Sequence, residues 1–228
     1  MFRRNRPAPS PSEPIAAEPS AAAPNDDASH DERLASAARA GDLNAFNGLV
    51  TRHERAIYGL CLRMLRDPMA AEDVTQETFL KAWSSLSSFK GGLFRAWLFR
   101  IATNRCYDLI RARGRRPASS LDAEAFEIEP EWSSQATPAE DPETFALRVE
   151  LSRHLERALA ALPDDQRLAI ILSDIHGHPY DEIARITGAN VGTVKSRISR
   201  GRAKLRDELR ADPARRELLD RFRRFYDE

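Results

Sequence analysis

Cysteine is almost missing from this chain, long hydrophobic runs are missing altogether, and net charge cancels to zero. Cys61 and Cys106 are the only thiols in 228 residues. Neither belongs to a CxxC or CxxxC spacing, which excludes the paired-thiolate pattern of zinc modules. Both fall inside helical patterns, so two buried free thiols in a reducing, cytoplasmic setting are expected. No apolar run approaches the roughly 20 residues of a membrane span. The first residues, Met1–Pro14, carry arginines without an apolar h-region, which argues against a secretory signal, and their prolines argue against an amphipathic targeting helix. A Gly-rich phosphate loop, an HExxH motif and a carboxylate cluster are all lacking, so a phosphotransferase or nuclease has no support. The five histidines are scattered; His176 and His178 flank Gly177 with no further ligand nearby. No metal and no cofactor are expected.

What is present is segregated charge. The 35 basic and 35 acidic residues cancel over the whole chain, which taken alone would argue against a nucleic-acid partner. Local runs of one sign matter more for contact and steering. Residues 1–30 are mostly Pro, Ala, Ser and acid, cannot bury a core, and read as disordered. Residues 31–116 are helical throughout. Asp42 is a candidate N-cap for a helix to about Leu65, Asp67-Pro68 starts another to about Trp83, and a third covers about Leu93–Arg113, ending at Gly114. Residues 117–143 form a linker rich in Asp, Glu and Pro, without Lys or Arg. Helical pattern returns over 144–210 in four segments, and 211–228 are a tail. Strand periodicity appears nowhere. The expected fold is all-α: two small helical domains joined by a flexible acidic linker, the second a helix-turn-helix.

The second domain carries the sharper signal. Tyr180–Ile186, the turn Thr187-Gly188-Ala189, and a helix from Val191 to about Arg210 have the order of a helix-turn-helix, whose second helix enters the DNA major groove. Asn190 is placed to cap that helix. At about 100° per residue, Val191, Val194, Ile198, Leu205 and Leu209 form one stripe, facing Ile183, Ile186 and Leu172. Thr193, Ser196, Arg197, Arg200 and Lys204 fall on the other side. Arginine can pair bidentately with guanine, while Ser and Thr reach base edges or phosphates. Lys195, Arg197, Arg202 and Arg206 flank the strip and suit phosphates. An ordinary solvated basic face is the bland alternative; the excess of cations over Asp207 and Glu208 weakens it.

A second basic block, Phe89–Pro117, interleaves aromatics with arginines around a lone Asp108. Phe94, Leu98, Ile101, Ala102 and Leu109 make a buried stripe. Arg100, Asn104, Tyr107 and Arg111 form the opposite face, with Arg105 falling unexplained near the apolar side. Rings, amides and cations together suit unstacked bases on a single strand. For Phe94, Trp97 and Phe99 the simpler reading is core. On the helix before it, Asp73, Gln76 and Glu77 at i, i+3 and i+4 form one polar patch that would repel DNA and suits a protein partner.

Together these segments resemble the extracytoplasmic-function group of bacterial sigma factors, which keep the second and fourth conserved regions of the main sigma factor. AEDVTQETFLKAW and FKGGLFRAWLFRIATNRCYDLIRARGRRP resemble region two; LERALAALPDDQRLAIILSDIHGHPYDEIARITGANVGTVKSRISRGRAKLR resembles region four. The resemblance implies that Asp73, Gln76 and Glu77 dock on core RNA polymerase. It implies that Lys90, Phe94, Arg100, Asn104, Tyr107 and Arg111 hold the melted minus-ten element. It implies that Lys195, Ser196, Ser199 and Arg200 read the minus-thirty-five duplex, and the face of the helix adds Thr193, Arg197 and Lys204 to them. The linker would thread polymerase channels, its acids mimicking nucleic acid, and an anti-sigma protein would regulate the chain. Pro179 stands where the family usually has Ser, and is expected at the first helical position. The runner-up is a helix-turn-helix regulator that binds duplex DNA without being a polymerase subunit; the all-helical pattern of 31–116 counts against a receiver domain. A pure protein-interaction bundle is the remaining alternative.

Overall fold

The computed structural model describes residues 24–115 and 142–211. Eight α-helices build this part: α1 (Pro24–Arg39), α2 (Leu43–Leu65), α3 (Pro68–Ser85), α4 (Phe94–Arg115), α5 (Pro142–Ala160), α6 (Asp164–Ile170), α7 (Tyr180–Thr187) and α8 (Val191–Ala211). Among the described residues there is no strand, and no helix is long and apolar enough to cross a membrane. The linker lies outside the described residues except for its last two positions, and so do residues 1–23 and the tail from 212 onward.

Local chemistry sets the helix starts. Asp42 Oδ1 accepts from the Asn44 and Ala45 amides at 2.9 and 3.1 Å, satisfying donors that a helix N-terminus leaves orphaned. Asp67 Oδ1 accepts from Ala70 N at 3.1 Å with Pro68 beside it. That backbone contact, then Arg113, outweighs partial burial and holds the Asp67 carboxyl below its usual range. Asn190 Oδ1 accepts from Thr193 N at 2.7 Å and so starts α8.

Three expectations need correction. Residues 24–30 belong to α1 and are helical. Helix α1 is docked by its buried Asp31, which accepts from Arg52 at 3.0 Å and contacts His53 Nε2 at 2.7 Å, both on α2. Gly114 does not end α4, which runs through it to Arg115; no left-handed turn forms there. Pro179 sits one position before the first helical residue, as an N-cap with extended backbone and no side-chain cap.

Helices α1–α4 form one unit and α5–α8 the other, but a single apolar core runs through both. Helix α2 packs on α5 and α6, and α4 packs on α7. The two units therefore meet directly, beyond being tied by the linker. Arg167 of α6 is the clearest junction residue. Its guanidinium donates to the carbonyls of Leu159, Ala160 and Leu162 at the end of α5, and to Met64 O of α2 at 3.3 Å. Leu159, Ala160 and Met64 lie in the last turns of their helices, where carbonyls lack an in-helix partner, and Leu162 lies in the turn that follows α5. Cys61 and Cys106 are both buried and free within the first unit. Their mutual contact and burial push the Cys106 thiol well above its usual range.

Candidate nucleic-acid interface

Helix α8 divides as its periodicity requires. Val194 and Ile198 are buried, and Leu205 and Leu209 are half-buried. Val191, expected in the same stripe, is exposed at the helix start. Lys195, Ser199, Arg200 and Lys204 are exposed on the opposite side, with Thr193 and Ser196 half-buried beside them. Arg200 lies along the helix, donating to Ser196 Oγ at 3.1 Å, while Ser196 Oγ donates to Thr193 O at 2.9 Å. These short donors and the guanidinium thus form one strip.

Two arginines of α8 are turned toward the protein. Arg197 Nε donates to Asp165 of α6 at 3.0 Å. Arg202 makes two bonds to Asp174, at 3.0 and 2.6 Å. Burial raises the Asp174 pKa, but the Arg202 and Ser173 hydrogen bonds prevail and hold it below the carboxylate range. Arg202, read from sequence as a phosphate contact, therefore braces the turn before α7.

On α4, Arg100, Asn104 and Arg111 are exposed, Tyr107 is half-buried, and Lys90 is exposed just before the helix. The Arg111 guanidinium stands over the Tyr107 ring, 5.9 Å from its centroid. Phe94 is a correction. It is 1% exposed, packed among Phe89, Trp97 and His53 at centroid distances of 5.6, 5.5 and 5.8 Å. An aromatic so enclosed belongs to the core of the first unit and offers no ring to a base. Arg105 is explained by α3: it is exposed and its Nε lies 3.7 Å from Glu77 Oε2.

Asp73, Gln76 and Glu77 are exposed on α3. Sequence reasoning missed their apolar neighbours. Met69 and Leu80 are 79% and 70% exposed, and Trp83 is partly open. Leu80 and Trp83 line a groove with Leu43, Phe46, Val50 and Phe79 between α2 and α3. Large apolar side chains left open beside a polar patch mark a protein-binding surface. The helical periodicity hid them, because an exposed Leu or Trp reads as core in a one-dimensional pattern.

The α4 and α8 faces converge. Thr103, Asn104, Tyr107 and Arg111 of α4 border one cleft with Asp165, Thr187 and Arg197 of the second unit. Burial there pushes the Tyr107 phenol above its ordinary pKa, and the balance of Arg197 against Asp165 and Asp164 acts beside it.

Comparison with known proteins follows the same division. Residues 49–116 match the family model described as sigma-70 region 2, and residues 152–205 match sigma-70, region 4. The chain is 38% identical over 177 residues to the RNA polymerase sigma-H factor of Pseudomonas aeruginosa, covering 75% of this chain and 90% of that protein. It is 41% identical over 174 residues to the ECF RNA polymerase sigma-E factor of Escherichia coli K12, again covering 75% and 90%. Among solved structures, CnrH in complex with the cytosolic domain of CnrY matches with a TM-score of 0.60 at 33% identity, over 80% of this chain and 99% of that one. The sigma factor RpoE of Bartonella quintana, solved with the anti-sigma factor NepR, matches with a TM-score of 0.55 at 28% identity, over 75% and 99%.

Proposed function

We infer how the residues divide the work from one premise: the chain belongs to the extracytoplasmic-function (ECF) sigma factors of bacterial RNA polymerase. It is a transcription-initiation factor and not an enzyme, so binding energy alone does its work. Residues 31–116 serve as region two and 144–210 as region four. Asp73, Gln76 and Glu77, with exposed Met69 and Leu80 beside them, dock on core polymerase. Lys90, Arg100, Asn104, Tyr107 and Arg111 hold the melted minus-ten strand, with Phe94 supporting that surface from the core. Thr193, Lys195, Ser196, Ser199, Arg200 and Lys204 read the minus-thirty-five duplex, joined by Arg197 once it leaves Asp165.

The observation that carries this reading is the split of α8. One face is closed by Val194 and Ile198, and the other is left open with Lys195, Ser199, Arg200 and Lys204 at major-groove spacing. Duplex DNA, the polymerase surface and the melted strand then engage three different helices of one chain, α8, α3 and α4. The acidic segment 117–143 threads polymerase channels between the two units. An anti-sigma protein regulates the chain, as NepR is paired with the Bartonella factor. All of this takes place in the cytoplasm, beside polymerase. Phosphate contacts release counterions, so promoter affinity falls steeply with salt.

The test is transcription with purified core polymerase on a promoter library. The chain is expected to comigrate with core enzyme and to direct initiation from templates sharing two elements. Failure to comigrate removes the α3 assignment; comigration without start-site selection removes the α4 and α8 assignments.

A further inference from the structure

We propose that residues 213–226 of the tail form an amphipathic helix that docks, within the same chain, in the apolar groove between α2 and α3, where it covers Gln76 and Leu80. The tail follows α8 and lies outside the described residues. Its sequence repeats the signals that start α3. Asp212-Pro213 matches Asp67-Pro68, where Asp67 caps the helix and proline follows. At about 100° per residue, Leu218, Leu219, Phe222, Phe225 and Tyr226 fall within one stripe. Arg221 borders that stripe on one side, and Arg216 and Arg223 on the other. Arg215 falls inside it at the first turn, where a long stem can carry its charge outward. Asp220 and Arg224 fall opposite. A helix of about fourteen residues is marginal alone in water and is stabilised by packing its apolar face. It calls for a surface.

The groove supplies one. Leu43, Phe46 and Val50 of α2 line it with Phe79, Leu80 and Trp83 of α3. Leu43, 57% exposed, joins Leu80 and Trp83 as an open apolar side chain. Trp83 packs on Phe46 at a centroid distance of 4.9 Å, an aromatic floor for Phe222 and Phe225. Exposed Glu54 lines the groove, and exposed Glu72 stands one turn before Gln76 on the same wall. By helical spacing the nearby cations Arg52, Arg55 and Lys81 fall off the two walls. The groove is therefore apolar along its length and acidic toward the Glu54 end. A helix whose apolar stripe is edged by arginines complements it twice: apolar face on apolar walls, guanidinium beside carboxylate. A helix of this length spans about 21 Å. A compact chain of the described size has a radius of gyration of about 15 Å, so the tail can pass from one face of the molecule to the next. Tethering keeps its local concentration on the order of millimolar, so weak docking suffices. Gln76 and Leu80 belong both to this groove and to the polymerase patch, so a docked tail and polymerase compete for them. That consequence alone rests on the α3 reading given above.

The test uses the full chain, with nitroxide labels on exposed Asn44→Cys, beside Leu43, and on Asp220→Cys, on the polar side of the tail helix. Native Cys61 and Cys106 are buried and stay unlabelled. One narrow interlabel distance is expected, unchanged when the labelled chain is diluted with unlabelled chain. Phe222→Ala with Phe225→Ala should broaden it, and Leu80→Lys should do the same from the groove side. Phe222 and Phe225 lie outside the two helical units, so that variant decides the matter even if Leu80→Lys folds poorly. A broad distance in the unaltered chain overturns the proposal, as does a narrow one that the tail substitutions leave in place. A narrow distance lost on dilution seats the tail on a second copy and overturns docking within the chain. Core polymerase binding by the tail-substituted chain should tighten roughly tenfold, the gain when a docked state holding about nine-tenths of the population is released. Unchanged polymerase binding beside a docked tail overturns the competition. Asp73→Arg in the tail-substituted chain then tells two failures apart: weakened polymerase binding keeps the α3 reading, and unaltered binding removes it.

Discussion

Gly201 of α8 lies against Ile170 of α6 so closely that a Cβ on the glycine would stand 2.9 Å from Ile170 Cγ1. Gly201 is buried in mid-helix, where glycine ordinarily costs about 1 kcal/mol relative to alanine. Close approach explains it: α8 can seat on α6 only where no side chain intervenes. Overpacking a filled core costs about 1–3 kcal/mol, more than the propensity gain. Gly201→Ala is expected to lower stability in urea denaturation, and Gly201→Leu to lower it further. In an Ile170→Ala background the penalty for Gly201→Ala should vanish, and a double-mutant cycle reads this directly.

Arg200, the guanidinium proposed to recognise a base, is exposed on α8 and aligned along it by Ser196 at 3.1 Å. Arg200→Ala is expected to lose about 1–3 kcal/mol of discrimination between the cognate duplex and a substituted one. Lys195→Ala, at an exposed position that suits a phosphate, should weaken all duplexes alike and flatten the salt dependence by about one counterion. Anisotropy titrations at several salt concentrations separate the two. Uniform loss for Arg200→Ala would make it a phosphate contact.

Asp73 is exposed on α3, on the side opposite the core residues Val74 and Phe79. Asp73→Arg inverts the charge of the proposed docking patch without touching the core. Core polymerase binding should weaken at least about tenfold, while duplex binding by α8 is unchanged. Intact polymerase binding, measured by surface plasmon resonance, would move the docking site elsewhere, with the Leu80–Trp83 groove the first alternative.

Caps and periodicities were legible because they are local. Asp42, Asp67 and Asn190 each start a helix where their sequence context placed them, and the α8 stripe gave its buried face. What escaped depends on contacts between segments distant along the chain. Arg63–Glu156 joins residues 93 positions apart, and Arg167 reaches Met64 across 103. No pattern in either helix marks those side chains as buried. Tyr107 read as a free aromatic because it lies on the polar side of α4, yet that side is where the second unit packs. Arg66 takes a left-handed conformation, φ 56°, at the end of α2, a place where glycine would have signalled the turn. Its amide still bonds Leu62 O at 2.8 Å, so the cap forms without the residue that announces it.

Acid should loosen the junction before it unfolds either unit. His176 lies against Phe99, and burial, then the cations Arg95 and Arg63 and the neighbouring His178, drive its pKa from 6.5 to about 3. His178 shifts in the same direction: burial outweighs its hydrogen bond to Glu182, with Arg95 again disfavouring the proton. A histidine whose pKa is lowered in the packed state binds its proton more readily once exposed. The junction is therefore at full strength above pH 6.5, weakens as pH falls below that value, and for His176 stops weakening near pH 3. Each group contributes up to about 1.4 kcal/mol per pH unit inside its window. Asp31 acts lower on the scale. Burial raises its pKa, but His53 and Arg52 prevail and hold it below 3.8, so the support it gives α1 is lost only in stronger acid. The distance between labels on Ser36→Cys and Ala161→Cys should broaden between pH 7 and pH 5, while helical circular dichroism stays constant. His176→Asn should reduce that pH dependence and His176→Asn with His178→Asn should abolish it. A distance that is flat over this range would mean that protonation of the two rings does not drive the junction open.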